Sequence, residues 1–198
     1  MRVPALDESI LRRLSALSTT LLGDAMDRMG IPSGIGPIWP GARAVGPVRT
    51  VWTVPGDNKK VHEAIDLCEP GEMLVVAGGG DTTRALVGEL MAIRAMHRDV
   101  AGFVIDGAVR DRDELAGLGF PVWARGVSPA GPFKNGPGHI DCPVAIGHVV
   151  VCPGDIIAGD SNGLAVVARS QLGEVCARAE ELAAGEEAKR KSYERQHA

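Results

Sequence analysis

The run AGFVIDGAVRDRDELAGLGFPVWARG, Ala101 to Gly126, constrains the fold more than any other part of the chain. Ala101 to Ile105 is short, apolar and partly β-branched, which reads as a buried strand. Asp106-Gly107 is turn chemistry, so the chain is expected to leave the sheet there and to carry Arg110 and Asp111 on the loop beyond it. A second strand, Met73 to Ala77, follows the Pro70-Gly71 turn and ends in Gly78-Gly79-Gly80. Strand, helical segment and strand in succession point to an α/β protein.

The flanks add layers to this centre. Ile10, Leu11, Leu14 and Leu17 fall at helical spacing and predict a helix over Asp7 to Leu17. Ser18 or Thr19 reads as the cap of a second helix, Thr20 to Met29, stopped by Gly30 and Pro32. Ala42 to Val54 alternates like a half-buried strand, with Gly46-Pro47 as a bend or bulge, and His62 to Leu67 reads as a helix. Thr82 to His97 is helical in composition with Leu86, Leu90 and Ile93 on one face. A glycine inside a helix costs about 1 kcal/mol, so a start near Gly88 is preferred. GVSPAGPFKNGPG is too long for a plain connector. Beyond it, turns at Gly147-His148, Pro153-Gly154-Asp155 and Ser161-Asn162-Gly163 mark a series of hairpins. Ser170 reads as the cap of a long polar helix toward Gln196. Its charged half, GEEAKRKSYERQ, suits a solvated helix or a subunit contact.

Composition narrows the function. At 198 residues the chain needs only one domain, 1–198, and its net charge of -4 argues against a nucleic-acid binder. One Tyr, three Phe and three Trp leave little material for stacking bases. Cys68, Cys142, Cys152 and Cys176 are scattered without zinc-site spacing and read as free thiols in a reducing compartment. The N-terminus MRVPALDESILRRL lacks the apolar core of a secretory signal, and no run approaches the ~18 apolar residues of a membrane span. A cytoplasmic protein with no membrane partner is the expectation.

Adjacent Arg110 and Asp111 admit two readings. Opposite charges on a loop are commonly a surface ion pair. The same pair can also grip an anion through the guanidinium and its divalent cation through the carboxylate. Glu89 lies 21 positions before Arg110, and a helix starting near Gly88 would offer the free N–H groups of Gly88, Glu89, Leu90 and Met91 to a carboxylate. Competing chemistries fit less well. VVAGGG lacks the third glycine of a dinucleotide fingerprint, where Thr83 stands, and Asp106 comes too late for its acidic residue; no GKS or GKT marks a P-loop. A Schiff-base mechanism is disfavoured because Lys59, Lys60, Lys134, Lys189 and Lys191 lie in polar loops or the terminal helix. His62, His97, His139, His148 and His197 are isolated, with His139 in the glycine loop the one worth watching.

GELM at Gly88 to Met91, GFVIDGAVRD, GFPVWARG and the Pro-Gly-Asp and Asp-Ser-Asn-Gly hairpins together resemble the class II pyruvate aldolases that cleave 4-hydroxy-4-methyl-2-oxoglutarate. They also resemble the related regulators of ribonuclease activity A. The resemblance spans nearly the whole chain. It implies a swivelling-domain type of fold, with a mixed sheet or barrel-like core flanked by helices, N-terminal helices and a long C-terminal helix. It further implies that Asp111 binds a divalent metal, Mg2+ or Mn2+, that Arg110 holds a pyruvyl group, and that the amides of Gly88 to Met91 bind its carboxylate. The family motif sets a glycine and then an acidic residue ahead of the Arg-Asp pair; here these positions read Ala85 and Glu89. A carboxylate from a neighbouring subunit's C-terminal helix, matched by Glu186 or Glu187, completes the family site, in trimers or hexamers.

The expected function is a Mg-dependent lyase that cleaves small 2-oxo acids through pyruvate enolate, with retro-aldol and oxaloacetate decarboxylase activities. Arg110 would stabilise the enolate and Glu89 would relay protons through a water. The alternative is a non-catalytic protein that binds a ribonuclease or helicase, as the regulator relatives do.

Overall fold

β2 (Ala44–Thr53) organises the molecule because it pairs differently along its length. Its first half runs antiparallel to β10 (Ile156–Asp160), with Ile156 opposite Pro47 and Gly159 opposite Ala44. Its second half runs parallel to β3 (Met73–Ala77), Val48 opposite Met73 and Trp52 opposite Ala77, and on its other edge antiparallel to β7 (Gly138–Ile140). From β3 the parallel sheet continues to β5 (Gly102–Val109) and β6 (Val122–Val127). The short strand β1 (Gly36–Pro37) closes that side antiparallel to β6, β11 (Gly163–Val167) closes the other against β10, and β8 (Val144–Ile146) pairs with β9 (Val149–Val151) as a separate hairpin. This computed structural model describes residues 8–196. Asp7, the first seven residues of the stretch read against a secretory signal, and His197 lie outside them.

Strand periodicity divides the core. Leu74 and Val76 of β3, Phe103 and Ile105 of β5, and Val122 and Ala124 of β6 point to one face. There they meet α3 (Lys59–Leu67), α4 (Glu89–Met96) and α5 (Arg112–Leu118) through Val61, Ile65, Met91, Ala95 and Leu115. Met73, Val75, Val104 and Trp123 point to the opposite face, against Val144, Ile146, Ile157 and Leu164. A third cluster joins the far side of β10 and β11 to α1 (Glu8–Ala16), α2 (Thr19–Ala25) and the first turns of α6 (Leu172–Gln196). Every residue of β3 and β5 is buried, as a parallel sheet covered on both faces requires. The expected α/β class, mixed central sheet, flanking helices and long terminal helix are all present.

Several expected boundaries move. Ser18 does cap α2, its hydroxyl accepting the Leu21 N–H at 3.2 Å, but that helix ends at Ala25, because Asp27 and Arg28 take left-handed backbone. α3 starts three residues before His62. α6 begins after a short 3₁₀ turn, Arg169–Gln171, rather than at a Ser170 cap. The main correction concerns Asp106-Gly107, which is strand and not a turn: β5 continues to Val109 through a register shift against β6 between Ile105 and Ala108. Asp106, with an 8% exposed side chain, stays in the strand because Arg125 on β6 donates to it at 2.6 Å. Charge pairing replaces the solvent that a DG turn would have sought. All four cysteines are free. Among the described residues, no helix is long and apolar enough to cross a membrane.

Candidate functional site

Gly78 to Gly80 let the chain double back, and the next strand, β4 (Ala85–Val87), takes up the free edge of β5 beyond the end of β3. Gly79 and Gly80 have φ of 71° and 73°, a region glycine enters without the Cβ penalty. Val87 then lies opposite Val109, and the Arg110 N–H donates to the Val87 carbonyl at 3.0 Å. Two parallel strands thus end level, each followed at once by a helix, the place where open α/β sheets bind ligands.

Gly88 is the N-cap residue of α4 and its φ of -154° is ordinary extended backbone. The need for glycine there is steric. A Cβ would lie 2.4 Å from Asp111 Oδ2 and 2.9 Å from Arg110 Cγ, so the space a side chain would fill is taken by the Arg-Asp pair. Asp111 has left-handed backbone, φ 59° and ψ 45°, which costs a non-glycine residue about 1 kcal/mol or more. This geometry turns its carboxylate away from the α5 amides that it precedes. Oδ2 instead accepts the Glu89 N–H at 3.0 Å and lies 3.5 Å from Arg110 Nε. The start of α4 therefore already holds a carboxylate oxygen, as a helix N-terminus favours.

Of the four amides expected to face an anion, that of Glu89 takes Asp111 and that of Met91 donates to the Gly88 carbonyl at 3.1 Å. Glu89 is half-buried, while Leu90 projects 75% exposed. Glu186 is exposed, and Glu187 pairs within its own helix, with Arg190 at 2.7 Å and Lys191 at 3.4 Å.

Behind this rim lies a cavity of about 120 Å³. Of the site residues read from the sequence, Gly88, Leu90, Met91 and Arg110 line it and Glu89 and Asp111 do not; Asn58, His62, Pro132 and Lys134, which reasoning from sequence did not place there, line it as well. Lys134 lies in the loop expected for it but adjoins a largely apolar cavity wall, which the sequence did not indicate, and Lys59 and Lys60 open α3 rather than lie in a loop. His62, set aside as isolated, has Arg94 Nη1 3.4 Å from its Nδ1. A guanidinium only donates, so Nδ1 accepts and the neutral ring carries its proton on Nε2. Burial first, then the charges of Arg94 and Lys134, hold this imidazole below its ordinary range against the opposing pull of Asp66. His139, the histidine singled out in the sequence, stacks on Trp52 at 5.8 Å instead. The missed signal was Asp57-Asn58, a pair of capping residues immediately before a helix, of which only one can cap.

The donors at the rim are carboxylate oxygens, and among the described residues no group of three or more His, Cys, Asp or Glu converges. Such a set does not make a zinc cage. It does fit a hard cation that takes one protein carboxylate, here Asp111, and fills its remaining positions with water and ligand oxygens.

A family model described as Aldolase/RraA matches residues 19–166, three quarters of the chain. The chain belongs to the RraA-like family. Within it, a protein of Halalkalibacterium halodurans named "Putative 4-hydroxy-4-methyl-2-oxoglutarate aldolase" is 36% identical over 183 residues, covering 92% of this chain and 87% of that one. The crystal structure of RraAS2 from Streptomyces coelicolor, described as an unusual member of the RNase ES inhibitor RraA family, superposes with a TM-score of 0.87 at 27% identity. It covers 96% of this chain and 99% of that one. The Thermus RNA-processing inhibitor RraA superposes with a TM-score of 0.69 at 34% identity, covering 76% and 92%. RraA-like proteins thus carry both an aldolase name and an inhibitor name.

Proposed function

We propose that this RraA-like protein is a divalent-metal-dependent lyase that cleaves a C–C bond of a small 2-oxo acid to release pyruvate. The observation that supports this reading is the level ending of β4 and β5, which brings the Arg110 guanidinium and the start of α4 to one small cavity, with the Asp111 carboxylate beside them on the Glu89 amide. Arg110 and Lys134 both line that cavity, so an anionic ligand suits it better than a neutral one.

In this reading Asp111 would hold the cation, Mg2+ or Mn2+, which would supply Lewis acidity toward the bound 2-oxo acid. Arg110 stabilises the negative charge that develops on the keto oxygen as the C3–C4 bond breaks and its electron pair forms pyruvate enolate. The C4 hydroxyl loses its proton and becomes the carbonyl of the second product. Glu89, in the first turn of α4, relays that proton to the enolate carbon through a water. Oxaloacetate decarboxylation reaches the same enolate by loss of CO2, so one site serves both reactions. A small-molecule substrate, a cytoplasmic location and a trimer or hexamer in which Glu187 or Glu186 joins a neighbouring site complete the proposal.

The test is pyruvate release from 4-hydroxy-4-methyl-2-oxoglutarate and from oxaloacetate, with Mg2+ and with chelator, for the wild type and Asp111→Ala. Turnover that needs the metal and falls about 100-fold or more in the variant is the expected result. A wild type inactive on both compounds and on other 4-hydroxy-2-oxo acids overturns the lyase reading.

A further inference from the structure

Asn58 occupies the N-cap position of α3, yet its side chain makes no capping bond. Asp57 caps in its place, Oδ1 accepting the Lys59 N–H at 2.9 Å. Asn58 is only 3% exposed and turns its amide toward the cavity wall, Nδ2 donating to the Leu86 carbonyl at 2.9 Å and lying 3.4 Å from Met91 Sδ. The first of these bonds fixes which way the amide faces, because a flipped amide would oppose Oδ1 to the carbonyl oxygen of Leu86. Oδ1 is then a buried acceptor with no partner, the one such side-chain atom among the described residues, and it belongs to a residue that lines the cavity. An orphaned buried acceptor is costly, and buried polar groups without partners call for an explanation.

We infer that Asn58 Oδ1 is the acceptor for a hydroxyl of the ligand, and that it selects 2-oxo acids bearing a 4-hydroxyl group. This rests on the proposed lyase reading for the identity of the substrate. The chemistry is specific, since a carbonyl oxygen can accept from a hydroxyl but gains nothing from a carboxylate or a methylene. Arg110 and Lys134 line the same cavity and suit the anionic ends, which leaves Asn58 for the neutral hydroxyl. Its role is to position the hydroxyl and select for it, since a carboxamide is no base at neutral pH.

Two ligands without a C2 keto group, and so without an electron sink for cleavage, separate this role from catalysis: 2,4-dihydroxyglutarate and 2-hydroxyglutarate. Their dissociation constants are measured by calorimetry with Mg2+ present. The wild type is expected to bind the dihydroxy compound about tenfold more tightly, and Asn58→Ala to bring the ratio near one, because sites built to bond a hydroxyl discriminate against its absence. A ratio near one in the wild type, or a wild-type ratio retained in Asn58→Ala, overturns the assignment. Should Asn58→Ala fail to fold, the wild-type ratio and that of Asn58→Leu decide. Absence of pyruvate release from every 4-hydroxy-2-oxo acid would remove the lyase reading while leaving the ratio of affinities readable.

Discussion

At the residue scale, the site depends on small departures from ordinary behaviour that a sequence does not display. Asp111 has left-handed backbone and sends its carboxylate to a different helix, and Asn58 stands at a cap without capping. Gly88 lies against the first of these. Gly88→Ala would put a Cβ 2.4 Å from Asp111 Oδ2, and neither the Arg-Asp pair nor the start of α4 can shift without breaking the Glu89 bond. Pyruvate-forming activity is expected to fall about 100-fold or more at a stability loss of about 1–3 kcal/mol, read from initial rates and denaturant unfolding. Arg110, Asp111 and Gly88 were legible in the sequence because a glycine at a helix start and an Arg-Asp pair after a strand are local patterns. Asn58, His62 and Lys134 were not, since α3 and the loop after β6 reach the cavity only through long-range folding.

At the element scale, boundaries were legible where their cause was local in the sequence. The expense of a mid-helix glycine placed the start of α4 correctly, whereas Asp106-Gly107 looked like a turn because its partner, Arg125, lies 19 residues away on β6. The junction of α3 with the long loop shows how such distant pairing steadies the cavity. Burial pushes the Asp57 carboxyl up, but the backbone N–H groups of Lys59, Gly136 and Asn135 outweigh it and hold this group below the usual carboxylate range. A depressed carboxyl contributes stability that is present above its unfolded value, about 3.8, and is lost as the pH falls through its folded value. Asp57→Ala should therefore cost about 2–4 kcal/mol at pH 7, with the gap from wild type narrowing below pH ~4, as denaturant titrations across pH would record.

At the scale of the whole molecule, the fold separates the parts that carry chemistry from those that carry stability. The first turns of α6 pack on α1, α2 and the β10–β11 pair through Leu172, Val175, Cys176 and Ala179, while Glu186 and Tyr193 are exposed. Glu187→Gln is expected to leave the unfolding free energy within about 0.5 kcal/mol, because exposed ion pairs such as those with Arg190 and Lys191 are weak. Turnover should nonetheless fall about tenfold or more if this carboxylate completes a neighbouring site, and steady-state rates beside unfolding curves test both halves. The level ending of β4 and β5 has a larger consequence. One part of the cavity lining is set by the register of β4 and β5 and carries Arg110, whereas Pro132 and Lys134 come from the loop after β6, tied to the chain before α3 by a single β-bridge between Asp57 and Phe133. On the proposed lyase reading, substitutions in that loop would change which leaving group is accepted while the strand ends keep the groups assigned to enolate formation, so substrate choice and reaction type would diverge on separate evolutionary tracks.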